Sequence, residues 1–251
     1  MYLQITEKCN MNCDHCCFSC TMKGKHGDKQ TIMNAIEYIA DQDDYAITIG
    51  GGEPTLHPDF FDILERCLDR FDCVWMATNG SQSEVMHRLV DIMDGEDFPE
   101  CDCLDYMTEE DLDHDGCTCH ERSDYDSIYG AEDKLSVAVS NDCFHDEIEP
   151  WVKNTWKNRG WELRDVTRSH DGVSDKGRAN ENQLSYNDHC ACPGIFINPQ
   201  GKIKPCGCPD SPVIGDIYNG IDEEWENLLQ DEEYRDNECY NKIKTTEPTE
   251  Q

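Results

Sequence analysis

Hydrophobic positions along the chain follow two periodicities in turn, and this alternation predicts repeated strand-then-helix units. Short apolar, β-branched runs are typical of buried strands, and the segments between them place apolar residues on one helical face. The predicted strands are 2–6, 46–49, 73–78, 135–140 and 161–166, and the predicted helices are 31–41, 60–70, 83–93 and 148–158. Repeated units of this kind indicate an α/β protein with a parallel sheet, arranged as an open or partial (β/α) barrel.

An acidic segment without periodicity, 95–133, interrupts the alternation and is predicted to be an inserted loop. It contains two Cys-x-Cys pairs, Cys101 with Cys103 and Cys117 with Cys119. Clustered cysteines favour a metal site, with zinc as the first expected occupant and an additional iron–sulfur cluster as the second. An acidic loop with free thiols is the alternative that the residues leave open.

The same spacing recurs near the C-terminus, at Cys190 with Cys192 and Cys206 with Cys208. Between these pairs, 195–197 and 202–204 are typical of two strands joined by a tight turn. A hairpin brings its ends together, so we expect the four thiols to meet at its base. Four converging thiolates suit either a [4Fe–4S] cluster or a zinc ion.

Composition narrows the class of protein. The 251 residues include 17 cysteines and carry a formal net charge of −33. The acidity argues against a generic nucleic-acid-binding groove, which needs concentrated Lys and Arg, and is typical of a solvated surface or a halophilic source. No apolar run is long enough to span a bilayer and no secretory signal pattern is present. We therefore expect a protein of the cytoplasm, or of the host cytoplasm if the source is viral, without a membrane partner.

Three cysteines, Cys9, Cys13 and Cys16, follow the first predicted strand with the spacing C-x-x-x-C-x-x-C. Three thiolates on one loop suit three irons of a [4Fe–4S] cube and leave the fourth iron open to another molecule. A structural zinc knuckle or a group of free thiols is the alternative, because Cys17 and Cys20 crowd the same loop.

A glycine-rich segment follows the second predicted strand: Gly50, Gly51, Gly52, Glu53 and Pro54. Glycines allow the backbone to approach a ligand closely. A carboxylate beside them can accept strong hydrogen bonds from an ammonium group. The alternative is an ordinary turn between a strand and a loop, where Gly and Pro are common.

These two motifs, in this order and about forty residues apart, resemble the signature of the radical S-adenosylmethionine (SAM) superfamily. The resemblance implies a catalytic [4Fe–4S] cluster on Cys9, Cys13 and Cys16, with SAM chelated to the open iron. It also implies that Gly51, Gly52 and Glu53 bind the SAM amino group. An electron donor such as flavodoxin or ferredoxin would reduce the cluster, and cleavage of SAM would give a 5′-deoxyadenosyl radical.

Four further residues match the family's pattern at later positions. Asn79, in a Thr-Asn-Gly segment, is expected to line the SAM pocket, and Ser140 and Asp142 are expected to reach the SAM ribose or the substrate. Arg178, in a Gly-Arg-Ala segment, is expected to pair with the SAM carboxylate. A solvated loop arginine is the alternative for Arg178.

The C-terminal cysteine pattern resembles the SPASM and twitch extensions of this family, which carry auxiliary [4Fe–4S] clusters. The resemblance implies a radical SAM partial barrel over 1–180, with the insert at 95–133, and a twitch-like module over 181–251. The auxiliary cluster would be held by the four cysteines named above for the hairpin, with a zinc ribbon as the alternative.

Two functions are consistent with these motifs. The first is a radical SAM enzyme that abstracts hydrogen from an unidentified substrate: a peptide or protein side chain, or a nucleotide such as a modified thymine in a phage DNA hypermodification pathway. The second is a non-catalytic iron–sulfur or zinc protein in electron transfer or redox sensing. An electron carrier would need neither the Gly-Gly-Gly-Glu-Pro segment nor an open iron.

Overall fold

The computed structural model describes residues 1–42, 44–94, 131–165, 177–184, 194–209 and 211–230. In the first part of the chain, strands and helices alternate. The strands are β1 (Tyr2–Thr6), β2 (Ala46–Gly51), β3 (Cys73–Thr78), β4 (Leu135–Asn141) and β5 (Leu163–Asp165), and the helices are α1 (Lys29–Ala40), α2 (Phe60–Arg70), α3 (Ser83–Asp94), α4 (Ala131–Lys134) and α5 (Pro150–Arg159). A short 3-10 turn, Pro54–Leu56, lies between β2 and α2.

These five strands pair in parallel, in the order β5-β4-β3-β2-β1. A parallel pair needs a crossover connection, which the intervening helices supply. The predicted α/β class and parallel sheet of a partial barrel are therefore confirmed. The carboxyl ends of all five strands lie along one edge, where ligand sites of such sheets occur.

Local chemistry explains where the helix boundaries differ from the predicted ones. Helix α1 begins at Lys29, before the predicted 31, because the Asp28 carboxylate accepts a hydrogen bond of 3.0 Å from the backbone N–H of Thr31. Helix α5 begins at Pro150, after the predicted 148. Proline suits the first helical position, because the backbone N–H that it lacks would have no acceptor within the helix there.

The C-terminal part adds α6 (Gly177–Glu181), β6 (Phe196–Ile197), β7 (Lys202–Lys204), β8 (Gly215–Asp216), β9 (Gly220–Ile221) and α7 (Glu223–Gln230). Strands β6 and β7 form the predicted antiparallel hairpin. Strand β6 also pairs in parallel with β1, with Tyr2 opposite Phe196, so the hairpin extends the barrel sheet. The domain division at 180 and 181 stays a prediction.

The two faces of the strands have different roles. Leu3 and Ile47 are buried with Ile36 of α1 in one continuous hydrophobic cluster. Because side chains alternate along a strand, Tyr2 and Trp75 face the other way and line a cleft. One face therefore stabilises the fold and the other is available to a ligand.

None of the helices in the described ranges is long and apolar enough to cross a membrane. The cysteines predicted to bind metal in the insert lie outside the described residues, as do two of the four at the hairpin: Cys101, Cys103, Cys117, Cys119, Cys190 and Cys192. Of the predicted insert 95–133, the last residues are described and belong to helix α4.

Candidate functional site

The cysteine triplet lies on the loop between β1 and α1, which we call the cysteine loop (residues 7–28), at the carboxyl end of β1. Cys9, Cys13 and Cys16 are partly buried, free thiols. The backbone N–H of Cys9 donates to the carbonyl of Thr21 at 3.0 Å, and that of Cys16 donates to the carbonyl of Cys13 at 3.1 Å. These hydrogen bonds fold the loop back on itself and hold the three thiols on one short segment.

The thiols of this loop have unequal acidities. A hydrogen bond from the Cys20 thiol lowers the pKa of Cys16 to about 6, although burial acts in the opposite direction. Burial raises the pKa of Cys9 to about 11. Because thiolate is the form that binds metal, the lowered pKa of Cys16 favours that form, whereas the raised pKa of Cys9 disfavours it until a metal binds.

The glycine segment packs directly against the cysteine loop. The backbone N–H of Gly52 donates to the carbonyl of Thr6 at 2.8 Å, and that of Glu53 donates to the carbonyl of Lys8 at 2.9 Å. A Cβ at Gly52 would lie 2.3 Å from the Lys8 carbonyl oxygen and 3.0 Å from the Cβ of Cys9. Only glycine therefore permits this approach, which joins the two sequence motifs into one unit.

Glu53 is buried, and its carboxylate accepts four hydrogen bonds from the protein. Oε1 accepts from the Thr55 hydroxyl at 2.6 Å, the Thr55 N–H at 3.2 Å and the Thr78 hydroxyl at 2.7 Å. Oε2 accepts from the Asn79 N–H at 2.7 Å. Burial raises the pKa of Glu53, and these hydrogen bonds counteract the rise. Glu53 thereby connects the carboxyl ends of β2 and β3.

Polar residues predicted for the SAM pocket follow β3 and β4. Asn79 is buried and donates through Nδ2 to Oδ1 of Asn10, in the cysteine loop, at 2.9 Å. Ser140 is buried at the end of β4. The Asp142 carboxylate accepts from Nδ1 of His145 at 2.7 Å and from the Phe144 N–H at 3.0 Å.

His145 lies between Asp142 and the cysteine loop. Burial lowers its pKa, but hydrogen bonds to Asp142 and Cys13 outweigh burial and raise the pKa to about 10. The imidazole ring is also in edge contact with His15, with ring centroids 5.2 Å apart. The loop after β4 thus adds a cationic side chain next to the thiols.

A cleft of about 320 Å³ collects most of the predicted residues. Gly51, Gly52, Glu53, Asn79 and Ser140 line it together with Cys9. The cleft is also lined by residues for which no role was predicted: Tyr2, Phe18, Ile49, Trp75, Ala77 and Arg164. The period-two alternation of β1 and β3 could have identified Tyr2, Trp75 and Ala77, because they alternate with core residues.

Arg178 contacts the cysteine loop. Its guanidinium donates from Nη1 to the Cys13 carbonyl at 2.7 Å and from Nη2 to the Cys20 carbonyl at 2.8 Å. The alternative of a solvated loop arginine is wrong, because the side chain is partly buried against the thiol-bearing loop. A contact of Arg178 with the SAM carboxylate stays a prediction.

A second cavity, also of about 320 Å³, lies between the cysteine loop and the hairpin. Phe18 lines both cavities, and its ring packs 5.7 Å from that of Phe196. The other residues that line the second cavity are mostly polar or small: Gln4, Glu7, Ser19, Cys20, Thr21, Gly24, Asn198, Lys204, Gly207 and Pro209.

The two described cysteines of the hairpin, Cys206 and Cys208, are buried. The Cys206 sulfur lies 3.3 Å from the Ser211 hydroxyl, and the Lys204 ammonium donates to the Cys208 carbonyl at 2.9 Å. The hairpin turn that precedes them is as predicted, so these two thiols lie at its base. Cys143 is exposed, because it belongs to the turn after β4.

Sequence comparison finds known proteins that are similar to parts of this chain. The family model described as the radical SAM superfamily matches residues 3–96. Mycofactocin maturase MftC of Mycobacterium ulcerans (strain Agy99) is 32% identical over 90 residues, which are 34% of this chain and 24% of that protein. The tungsten-containing aldehyde ferredoxin oxidoreductase cofactor-modifying protein of Pyrococcus furiosus is 29% identical over 99 residues, 37% of this chain and 27% of that protein. The chain thus spans about a quarter of the length of these curated relatives.

Two solved structures resemble the fold at low sequence identity. Native anSMEcpe with bound AdoMet is 13% identical, with a TM-score of 0.45 over 93% of this chain and 81% of that one. Streptococcus suis SuiB bound to S-adenosylmethionine is 12% identical, with a TM-score of 0.44 over 97% of this chain and 73% of that one.

The family match spans both motifs that the fold brings together. Residues 3–96 contain the cysteine triplet, the glycine segment with Glu53, and Asn79. The same residues include β1, β2 and β3, whose carboxyl ends carry the cleft. Residues 3–96, which carry both motifs and the first three strands, therefore match the radical SAM superfamily, a family that implies a [4Fe–4S] cluster and SAM as cofactors.

Proposed function

We propose that this chain is an enzyme that binds a [4Fe–4S] cluster on Cys9, Cys13 and Cys16 and SAM in the adjoining cleft, and abstracts a hydrogen atom from a substrate. One observation carries the proposal. The loop with the three thiols is joined by backbone hydrogen bonds to the glycine segment, and both border the same cleft. A structural metal site would not need an adjoining cleft.

The residues of the loop fit such a cluster. Thiolates are the ligands that iron–sulfur clusters take, and three of them leave one iron without a protein ligand. When bound, the cluster with SAM supplies one-electron cleavage of the sulfonium to a 5′-deoxyadenosyl radical. Gly52 keeps the wall of the cleft beside Cys9 free of a side chain.

The cleft offers polar groups suited to the two ends of SAM. Gly51 and Gly52 expose backbone, and Oε2 of Glu53 is suited to an ammonium group because it accepts one of the four protein hydrogen bonds and Oε1 accepts three. Asn79 and Ser140 line the cleft and are suited to the ribose hydroxyls. Asp142, two residues after Ser140 in the turn that follows β4, is suited to the same hydroxyls. These assignments are supported by the shared location of the side chains at the ends of β2, β3 and β4.

Tyr2, Phe18 and Trp75 contribute aromatic side chains to the remaining wall of the cleft. Tyr2 and Phe18 lie with ring centroids 5.9 Å apart, and the Arg164 guanidinium lies 4.7 Å from the centre of the Trp75 ring. Phe18 also lines the second cavity. We propose that these rings exclude water from the position where a reactive radical would form.

The substrate we favour is a peptide or protein side chain. Matched relatives bear the name mycofactocin maturase, which supports a substrate that undergoes maturation. The net charge of −33 disfavours a DNA or RNA chain as substrate, because phosphates would be repelled. A nucleotide, such as a modified thymine in a phage pathway, is the second substrate class.

The proposal has three further parts. Flavodoxin or ferredoxin reduces the cluster, the hairpin holds an auxiliary cluster, and the insert holds zinc.

The test is the formation of 5′-deoxyadenosine. Wild-type protein is reconstituted anaerobically with iron and sulfide, reduced with dithionite and incubated with SAM. We expect 5′-deoxyadenosine from the wild type and none above background from Cys13→Ala, because the cube loses one of its three thiolates. Cys73→Ala is the matched control, since Cys73 is a partly buried thiol at the opposite end of β3. An iron-loaded wild type that forms no product would favour a role in electron transfer instead.

A further inference from the structure

The segment of residues 177–184, which we call the clamp segment, is bound to the cysteine loop through the backbone and two side chains. The backbone N–H of Arg178 donates to the Cys16 carbonyl at 3.0 Å. Its guanidinium reaches the carbonyls of Cys13 and Cys20 at 2.7 and 2.8 Å. One arginine therefore contacts three carbonyls distributed across the thiol-bearing part of the loop.

Two further residues of the clamp segment support this contact. Gly177 has a φ of +54°, and a Cβ there would lie 2.3 Å from the Cys17 carbonyl oxygen. Glycine therefore lets the backbone of the clamp segment approach the loop closely. Asn182 donates from Nδ2 to the Asp14 carbonyl at 3.0 Å. The clamp segment thus engages the carbonyls of residues on both sides of Cys16.

The chemistry of the guanidinium suits this task. Its planar group has donors in a fixed fork, so two nitrogens reach two carbonyls that are seven residues apart along the chain. Hydrogen bonds from a charged donor are stronger than those between neutral groups. A lysine ammonium is a compact point charge and lacks the fork that bridges two carbonyls.

We propose that Arg178 is a positioning residue for the cluster, which fixes the conformation of the cysteine loop through the carbonyls of Cys13, Cys16 and Cys20. The inference rests on the proposed cluster at Cys9, Cys13 and Cys16. It differs from a role in binding the SAM carboxylate, because the contacts of Arg178 hold the loop that carries the ligands. Loss of Arg178 then shortens the lifetime of the cluster, whereas the affinity of an intact cluster for SAM stays the same.

The experiment compares the wild type with Arg178→Ala, Arg178→Lys and Asn182→Ala. Each protein is reconstituted anaerobically and challenged with excess EDTA. The cluster is followed by the EPR signal of its reduced form that changes when SAM is added, since this signal reports the cluster with an open iron. The matched control is Arg159→Ala, which removes a guanidinium that pairs with Asp94 on the surface of α5 and α3. Far-UV circular dichroism of the metal-free proteins verifies that each is folded.

We expect the signal of Arg178→Ala to decay about tenfold faster than that of the wild type, the size of effect given by the loss of a charge-assisted hydrogen bond. Arg178→Lys should also decay faster, because a single ammonium does not bridge the two carbonyls. Asn182→Ala should show a smaller change in the same direction, and Arg159→Ala none. If Arg178→Ala does not fold, Arg178→Lys and Asn182→Ala decide the question.

Two results would overturn the inference. One is an Arg178 variant whose cluster lasts as long as that of Arg159→Ala. The other is an Arg178 variant whose cluster lasts as long as that of the wild type but whose SAM affinity is lowered. This result would assign Arg178 to the SAM carboxylate. SAM affinity is measured as the SAM concentration at which half of the EPR signal has changed to its SAM-bound form. A wild-type protein that acquires no SAM-responsive cluster would remove the proposed function as well, which separates the two failures.

Discussion

The cysteine loop and the base of the hairpin both present closely spaced cysteines, but their surroundings differ. In the cysteine loop, Cys9, Cys13 and Cys16 are partly exposed, and Cys9 borders a cleft lined by other polar groups. At the hairpin, Cys206 is fully buried and Cys208 is 5% exposed. Structural metal sites are closed by protein ligands, whereas catalytic sites keep an open position. If the proposed function holds, exposure toward a cleft, and not cysteine spacing alone, separates the cysteine loop from the hairpin.

The first prediction removes the thiols of the cysteine loop and measures the metal that the hairpin retains. In the variant with Cys9, Cys13 and Cys16 all replaced by Ala, SAM cleavage should be lost completely, because no open iron remains. We expect the same variant to retain about four irons and a charge-transfer absorption if the hairpin holds an auxiliary cluster. Iron and zinc content of the purified protein provide the measurement.

Two controls keep this count interpretable. Replacement of Cys206 and Cys208 by Ser, in the same background, should release the retained iron. The cysteines of the insert are replaced by Ser in a parallel variant: Cys101, Cys103, Cys117 and Cys119. A variant that retains zinc but no iron at the hairpin cysteines would show that the auxiliary site is a zinc ribbon.

The second prediction concerns the backbone contact between the cysteine loop and the glycine segment. Gly52→Ala should prevent most cluster assembly, because the new Cβ would lie 2.3 Å from the Lys8 carbonyl oxygen and 3.0 Å from the Cβ of Cys9. Gly160→Ala is the matched control: its Cβ would meet nothing within 4 Å, and its φ of +70° costs only about 1 kcal/mol. Iron bound per chain after anaerobic reconstitution is the measurement. Equal iron content in the two variants would contradict a tight junction between the motifs.

The sequence predicted the parallel sheet because its signal is repeated in every unit. The runs 2–6 and 73–78 coincide with β1 and β3, since apolar, β-branched strands between helical patterns have few other solutions. Helix ends were less predictable, because Asp28 and Pro150 set them through local capping chemistry. The predicted strand 161–166 begins later, at Leu163, because Trp161 instead packs against Trp156 at 5.1 Å and donates its N–H to that residue's carbonyl.

The candidate site was predictable where a motif fixed the residue type and less so where packing did. Cys9 and Glu53 belong to motifs whose spacing is visible in the sequence. The partners of Arg178 were not visible, because a contact across 165 residues depends on the tertiary fold. Trp75 and Arg164 likewise reach the cleft only because β3, β4 and β5 pair in register.

The last prediction concerns Glu53, which borders the cleft next to the cysteine loop. Glu53→Gln keeps the side-chain volume but replaces one oxygen by an NH₂ group, which cannot accept a hydrogen bond. An NH₂ group at the position of Oε2 would face the Asn79 N–H, which donates to Oε2 at 2.7 Å. We expect iron content close to that of the wild type and a SAM affinity about tenfold weaker, since a charge-assisted contact to the ammonium group is lost.

The measurement for Glu53→Gln is the SAM concentration that converts half of the EPR signal of the reduced cluster. Glu37→Gln is the matched control, because Glu37 pairs with Arg66 and Arg70 on the surface between α1 and α2. The free energy of unfolding of metal-free Glu53→Gln is measured as well, because the buried carboxylate also joins β2 to β3 through Thr78 and Asn79. A lowered stability with unchanged SAM affinity would make Glu53 a structural link between strands and remove it from the SAM site. A lowered SAM affinity in a protein that still binds iron would separate the two motifs by role, with the thiols holding the cluster and the carboxylate orienting its ligand.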